Sequence, residues 1–273
     1  MHNTVSVIIP TYNRPQALHR AIESTLAQTL APLEILVCED GSSAETEQII
    51  TSFNHPQVRW LPALHAGRPA MPRNRGIHAA QGEWLAFLDD DDVWLPEKLE
   101  HQMKLARATD CQAICTNAWR VQNGERQGHY FNQALQGKFN FKQLLRSNMV
   151  ICSSAIIYHS LLEKVKGFPE TETFLAIEDY ALWLRVAALT DFAYSPEPLL
   201  EYTDEPSQSM RKQGLTVQEQ KRRVFQDFSV WSRDARLNPY FTWQTQAALF
   251  LQGSYDLWQR GRNLLLRVRK ILL

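Results

Sequence analysis

Four consecutive carboxylates, Asp89, Asp90, Asp91 and Asp92, follow directly on the apolar run Trp84-Leu85-Ala86-Phe87-Leu88. Adjacent like charges repel, so the cluster needs a positive counterpart. Carboxylate oxygens are hard donors that suit Mg²⁺ or Mn²⁺. A divalent cation carrying a phosphorylated ligand would satisfy them, and the chemistry implied is that of an activated phosphate. The blander reading is a solvated acidic turn that caps the next helix, but one Asp would suffice for that.

Other polar groups recur at comparable places. Thr11-Tyr12-Asn13-Arg14 follows the run Val5-Ser6-Val7-Ile8-Ile9, and Asp40-Gly41-Ser42 follows Glu34 to Glu39. Glu178-Asp179 opens an amphipathic segment that runs to Leu189. These groups need elements to hold them. Strands are expected at Val5–Ile9 (ended by Pro10), Glu34–Glu39, Val58–Leu61, Trp84–Leu88 and Ser154–Tyr158. Helices are expected at Ala17–Gln28 (with Pro15 in a first turn), Ala44–Phe53, Pro72–Ala80, Pro96–Thr109, Phe139–Arg146 and Asp179–Leu189. Trp119 to Gly137 reads as a loop or hairpin, and extended segments are expected near Phe192 and Leu199. Near-continuous apolar strands separated by helices imply a mostly parallel, Rossmann-like α/β sheet flanked by helices. In such sheets ligands sit beyond the carboxyl ends of the strands, so the three polar motifs should meet at one rim.

The 273-residue chain is 44% hydrophobic and 21% charged, with zero formal net charge. A sizeable core is expected, and a global nucleic-acid binder is not. Cys38, Cys111, Cys115 and Cys152 match neither a zinc nor a disulfide framework and read as reduced thiols, with Cys38 buried in a strand. No signal peptide and no membrane-spanning run are evident, which suggests a cytoplasmic protein.

Five motifs occur in order: Val7 to Arg14, Glu39-Asp40-Gly41-Ser42, Pro72-Arg73-Asn74-Arg75-Gly76-Ile77, Leu88 to Asp92, and Glu178 to Arg185. Together they resemble the family 2 glycosyltransferases of the GT-A fold, over roughly residues 4 to 205. The resemblance implies an inverting transfer from a nucleotide-diphosphate sugar, assisted by Mg²⁺ or Mn²⁺. It implies that Asp91 contacts the metal, that Asp89 contacts the ribose or the metal, and that Asp90 fills the variable middle of the motif. Pro10, Thr11, Tyr12 and Arg14 would wall the nucleotide site, with Tyr12 stacking on the base. Asp40 would accept the ring N–H of uracil, and Arg73 would contact a phosphate or the nucleoside. Asp179 would be the base that deprotonates the acceptor hydroxyl, kept ionised by the helix N-terminus. The implied partners are a nucleotide sugar, with uridine favoured, and a saccharide or lipid-linked acceptor in envelope polysaccharide or lipopolysaccharide assembly. On this reading residues 1–205 form the catalytic domain, with 1–110 the nucleotide half and 111–205 the acceptor half.

Two departures bear on this. Many relatives carry Tyr-Arg-x-His after the last strand, where this chain has Tyr202-Thr203-Asp204-Glu205. That leaves the third metal ligand open, with Asp204 or Glu205 as substitutes. The Gln-x-x-Arg-Trp pattern of processive synthases is absent, which favours single additions. The alternatives are a sugar-phosphate nucleotidyltransferase, although a Gly- and Lys-rich phosphate loop is missing, and a non-catalytic membrane-associated relative.

Residues 206–273 read as a helical extension, with helices at Thr216–Ser232 and Thr242–Leu272 divided by Asn238-Pro239. Phe250, Leu257, Leu264 and Ile271, beside Leu251, Trp258, Leu265 and Leu272, form an apolar stripe flanked by Arg260, Arg262, Arg267 and Arg269. Such a stripe suits an anionic membrane surface, here the inner face of the plasma membrane; it equally suits packing on the catalytic domain or on a second subunit.

Overall fold

The computed structural model describes residues 4–132, 137–205, 216–237, 241 and 243–248. The chain divides into two compact units, Met1–Gln213 and Gly214–Leu273.

The first unit is built on one ten-stranded mixed sheet. Strands β1 (Val5–Thr11), β2 (Glu34–Glu39), β3 (Val58–Pro62) and β4 (Trp84–Phe87) are joined by helices α1 (Pro15–Leu26), α2 (Ala44–Phe53) and α3 (Ala70–Ala79). All four strands run parallel, because each connection crosses back over the sheet through a helix. After the acidic loop come β5 (Val93–Trp94), α4 (Lys98–Ala108), β6 (Ala113–Gln122), β7 (Glu125–His129), β8 (Gly137–Phe139) and α5 (Phe141–Arg146). Then follow β9 (Ile156–Tyr158), α6 (His159–Val165), α7 (Glu178–Ala187) and β10 (Phe192–Thr203). The strand order is β3-β2-β1-β4-β9-β6-β10-β5, with β7 on β6 and β8 on β10. Strand β9 lies antiparallel between β4 and β6, which restores the original direction in β6 and β10. The expected, mostly parallel sheet is thus a mixed one in which six strands share a direction.

Pro10 does not end β1, as the sequence suggested; the strand runs on to Thr11. Successive residues of a parallel strand bond to alternate neighbours. Ile8 accepts from Leu88 on the β4 side and Thr11 from Asp40 on the β2 side. The missing N–H of Pro10 therefore faces β4, whose strand has already ended at Phe87, and no ladder bond is lost. Pro15 stands at the start of α1, where its fixed φ fits the first turn. The two extended segments near Phe192 and Leu199 are one strand, bent by register shifts between Ser195 and Pro198 and between Pro198 and Glu201. The segment from Trp119 is the outer half of β6 and its hairpin partner β7.

Two apolar layers cover the sheet. On one face α1 and α4 pack Leu18, Ile22, Leu99 and Met103 against Ile9, Ala86, Ile114, Ala193 and Leu200. On the other, Trp183 of α7 is fully buried among Phe87, Phe168 and Phe192, with ring centroids 6.0–6.3 Å apart. That makes it a core residue. All four cysteines are free and buried.

In the second unit α8 (Val217–Asp234) is capped by Thr216, whose hydroxyl accepts from the Glu219 N–H while the Glu219 carboxylate accepts from the Thr216 N–H. Most of the expected second helix, including the whole Arg-flanked stripe from Phe250, lies outside the described residues. Among the described residues no helix is long and apolar enough to cross a membrane.

Helix α3 crosses the sheet at Gly76. A Cβ there would lie 2.5 Å from Cγ2 of Ile8 and 3.0 Å from Sγ of Cys38, both on the buried strands beneath. Gly76→Ala is therefore expected to lower unfolding free energy by about 1–3 kcal/mol in urea denaturation, despite the better helix propensity of alanine.

Candidate active site

Glu39, the last residue of β2, is buried because its carboxylate is fully occupied. It accepts from the Ser43 N–H at 3.1 Å, Thr46 Oγ1 at 2.9 Å and Trp60 Nε1 at 2.9 Å. This fixes the turn that presents Asp40. The Asp40 carboxylate then accepts from the N–H groups of Ala66 (2.7 Å) and Gly67 (2.8 Å) and lies 3.1 Å from Nδ1 of His65. Tyr12, at the end of β1, stacks on His65 with centroids 4.1 Å apart and planes 15° from parallel. Tyr12 remains 45% exposed. The expected base-binding pair, Tyr12 and Asp40, is thus brought together, with His65 between them as a third member that the sequence did not single out.

The acidic loop leaves β4 at the same rim. Asp90 turns inward: Thr11 Oγ1 donates to it at 2.7 Å and Arg14 at 3.2 Å. Arg14 also reaches Asp91 at 2.7 Å. Asp92 is buried, and its carboxylate accepts from the N–H of Thr203 at the end of β10 (2.8 Å). Thr203 Oγ1 donates to the carbonyl of Asp91 at 2.6 Å. Asp89 and Asp91 are left facing outward, each side chain 28% exposed. Burial, then the adjacent Asp91 charge, pushes Asp90 up to about 7. Burial, then Asp89, raises Asp91; burial, then Asp91 and Asp89, raises Asp92 well above the usual range. The loop is short of positive charge.

Arg73, on α3, is buried with 7% of its side chain exposed. It donates to Asp89 at 2.6 Å and to Glu178 at 2.8 Å, and its guanidinium lies 5.4 Å from the centre of the Phe168 ring. Glu178, at the first position of α7, is 5% exposed. One guanidinium therefore joins the acidic loop to the helix that carries Asp179. Next to it, Asn74 donates to the Phe168 carbonyl (2.9 Å) and to Glu170 (2.8 Å) and accepts from the Phe168 N–H (2.8 Å). Ala176 precedes α7 with φ +66°, a left-handed conformation that costs alanine roughly 1–2 kcal/mol. The network on α7 sustains that strain, a pattern typical of residues that aim a functional group.

Asp179 follows Glu178, half-buried, with Oδ1 accepting from the Tyr180 N–H at 2.6 Å. The thiol of Cys152 lies among these groups. Burial raises it most, Arg73 opposes the rise, and the charges of Asp89, Asp179 and Glu178 add to it. Arg73, bonded to both Asp89 and Glu178, places the first turn of α7, with Asp179, on the same side of the molecule as Asp89. Glu178 also borders a shallow surface depression with Arg68, Glu170 and Phe174.

Of the substitutes for a third metal ligand, Asp204 pairs with Arg120 at 2.6 Å and Glu205 accepts from the Asn123 N–H. Among the described residues no three His, Cys, Asp or Glu side chains are grouped to hold a metal ion.

With this geometry in place, the relatives decide the family. Residues 6–165 match the family model described as glycosyl transferase family 2. The chain belongs to that family. It is 31% identical over 182 residues to the Escherichia coli protein named UDP-Glc:alpha-D-GlcNAc-diphosphoundecaprenol beta-1,3-glucosyltransferase WfgD, covering 67% of this chain and 69% of the relative. It is 36% identical over 131 residues to the succinoglycan biosynthesis protein ExoO of Rhizobium meliloti, covering 48% and 37%. The fold matches the S. aureus TarS 1–349 structure in complex with UDP-GlcNAc, with TM-score 0.72 and 20% identity over 91% of this chain and 72% of that one. The fold is therefore GT-A, as the five motifs implied, and family membership decides against the nucleotidyltransferase alternative.

Sequence reasoning gave Glu178 no role of its own. Its signal was an acid at the start of α7 with no basic residue beside it in sequence, a charge that burial obliges to find a distant partner. Removing Arg73 leaves two carboxylates without their cation. Arg73→Leu is expected to cost about 3–5 kcal/mol in urea unfolding, and Arg73→Leu combined with Glu178→Leu less than the sum of the two singles.

Proposed function

We propose that this glycosyltransferase moves a sugar, with inversion, from a UDP-sugar to a hydroxyl of a lipid-diphosphate-linked saccharide. The observation that carries this reading is the Arg73 bridge, which holds the acidic loop and the start of α7, with Asp179, around one centre. WfgD and a second E. coli relative, WfaP, 27% identical, are both named for transfer from UDP-Glc to GlcNAc-diphosphoundecaprenol, which supports the donor and acceptor classes and a role in envelope polysaccharide assembly.

On this reading Tyr12 stacks on the uracil, and Asp40 accepts its ring N–H. Pro10 and Thr11 wall the nucleotide, Asp90 anchors that wall through Thr11 and Arg14, and Arg73 orients Asp89. Mg²⁺ or Mn²⁺ fits the donor set: Asp89 and Asp91 supply hard oxygens at the rim, and the two guanidiniums that reach the loop, Arg14 and Arg73, only partly balance its four carboxylates. Two carboxylates would hold the ion while leaving positions for diphosphate oxygens and water. When bound, it would stabilise the leaving diphosphate. Asp179, ionised at the helix N-terminus, takes the proton of the attacking hydroxyl. The stripe from Phe250 to Leu272 would hold the enzyme at the anionic inner face of the plasma membrane, where a lipid-linked acceptor resides.

Two variants test this. Asp179→Asn is expected to lower transfer from UDP-glucose to a GlcNAc-diphosphate lipid by at least about 10²-fold while UDP affinity is kept. Asp91→Asn is expected to weaken UDP binding about tenfold with Mn²⁺ present and to change it little in EDTA. Metal-independent nucleotide binding would sink the metal assignment, and full transfer by Asp179→Asn would sink the base.

A further inference from the structure

The β6–β7 hairpin carries side chains that the reaction so far leaves unused. Trp119 and Glu201 are register partners on β6 and β10, and Trp119 and His129 on β6 and β7. His129 meets the Trp119 ring edge-on at 4.5 Å. The Arg126 guanidinium lies 5.2 Å from the Trp119 ring centre and pairs with Glu201 at 2.7 Å. Arg126 and Glu201 stay open to solvent, with 46% and 31% of their side chains exposed.

Strand alternation fixes which way this cluster faces. Leu200 and Tyr202 pack on the α1/α4 layer. Glu201 and Thr203 therefore point to the opposite face, the side of α7 and Asp179. Thr203 is the residue whose hydroxyl bonds the Asp91 carbonyl. It stands two positions beyond Glu201, roughly 7 Å along the strand. The cluster is thus continuous with the acidic loop and on the acceptor side of it.

We infer that Trp119, with the Arg126–Glu201 pair, forms a subsite for a saccharide ring of the acceptor; the inference rests on the acceptor class proposed above. Arg126 lies over one face of the partly buried Trp119 ring; the rest of the indole offers an apolar surface to the C–H face of a pyranose, while the paired guanidinium and carboxylate offer donors and acceptors to its hydroxyls. The charges exclude a bare phosphate as the main ligand. Arg126 is matched by Glu201 and Arg120 by Asp204, and Glu125 and Glu205 add negative charge nearby.

The probe is an α-GlcNAc-diphosphate lipid with a short alkyl chain, titrated into the UDP-loaded full-length protein and used as acceptor. Trp119→Ala is expected to weaken its binding and raise its KM about tenfold, with kcat and UDP affinity within about twofold of the parent. Trp119→Phe, which keeps an aromatic face, should recover most of the loss. If the parent binds the probe and Trp119→Ala binds it equally well, the subsite is wrong while the acceptor class stands. If the parent fails to bind it at all, the acceptor class and the subsite fall together. A change in oligomeric state on Trp119→Ala without a change in probe affinity would make the hairpin a contact between copies and overturn the subsite.

Discussion

A guanidinium keeps its charge even when almost wholly shielded from water, so burying it is costly unless partners are at hand, and Arg73 finds two, Asp89 and Glu178. The rest of the site depends on that exchange. Desolvating one cation and two anions is expensive, so the three must hold close geometry to recover the cost. Close geometry is what the site needs. Asp89 is held by Arg73 through its side chain and by Ser153 Oγ, which accepts from its N–H at 3.0 Å. Glu178 brings the first turn of α7 to the same point. Ala176, two residues before α7, has a positive φ, a small local cost at the entry to that helix end.

The acidic loop follows the same logic with a different result. Four carboxylates meet two guanidiniums, Arg14 and Arg73, among the described residues. Asp90 and Asp92 turn inward and tie the loop to Thr11 and to Thr203, the ends of β1 and β10. Asp89 and Asp91 face the rim with their repulsion only partly relieved. The inward pair builds the scaffold, and the outward pair carries the unspent negative potential. A sheet whose strand ends are pinned by buried polar bonds can hold that potential in place without collapsing the loop onto it.

Much of this was legible in the chain. Polar motifs placed just after apolar runs are where a doubly wound sheet collects its ligands, and the first four strands announced themselves by short apolar runs, β-branched in β1 and β2. What escaped had physical reasons. Ala113 to Ala118 of β6 is a run of small and polar residues, and its strand identity comes from neighbours on both sides rather than from propensity. Three residues of β9 carry no record of direction, so its reversal was invisible. Glu178 read as an acid at a helix start because that preference is common, and its use as a buried partner for Arg73 requires the fold. His65 lies in an irregular connection, and only the tertiary contact with Tyr12 and Asp40 gives it meaning.

The two halves of the site differ in how they are held, and that difference bears on what each can select. On the proposed donor side, Glu39, Thr11, Asp90 and Arg73 are buried, and each is hydrogen-bonded to a polar partner. A change in any one strands a polar partner in a low-dielectric setting, which is among the costlier kinds of substitution. On the hairpin, the proposed acceptor side, the pairs Arg126–Glu201 and Arg120–Asp204 are partly solvated, and water can replace a lost partner at little cost. The fold thus places buried, polar-bonded groups around the acidic loop and partly solvated ion pairs on the β6–β7 hairpin and the end of β10. On the function proposed above, the first would hold the diphosphate, and the second would let a different saccharide be accommodated without disturbing the Arg73 bridge.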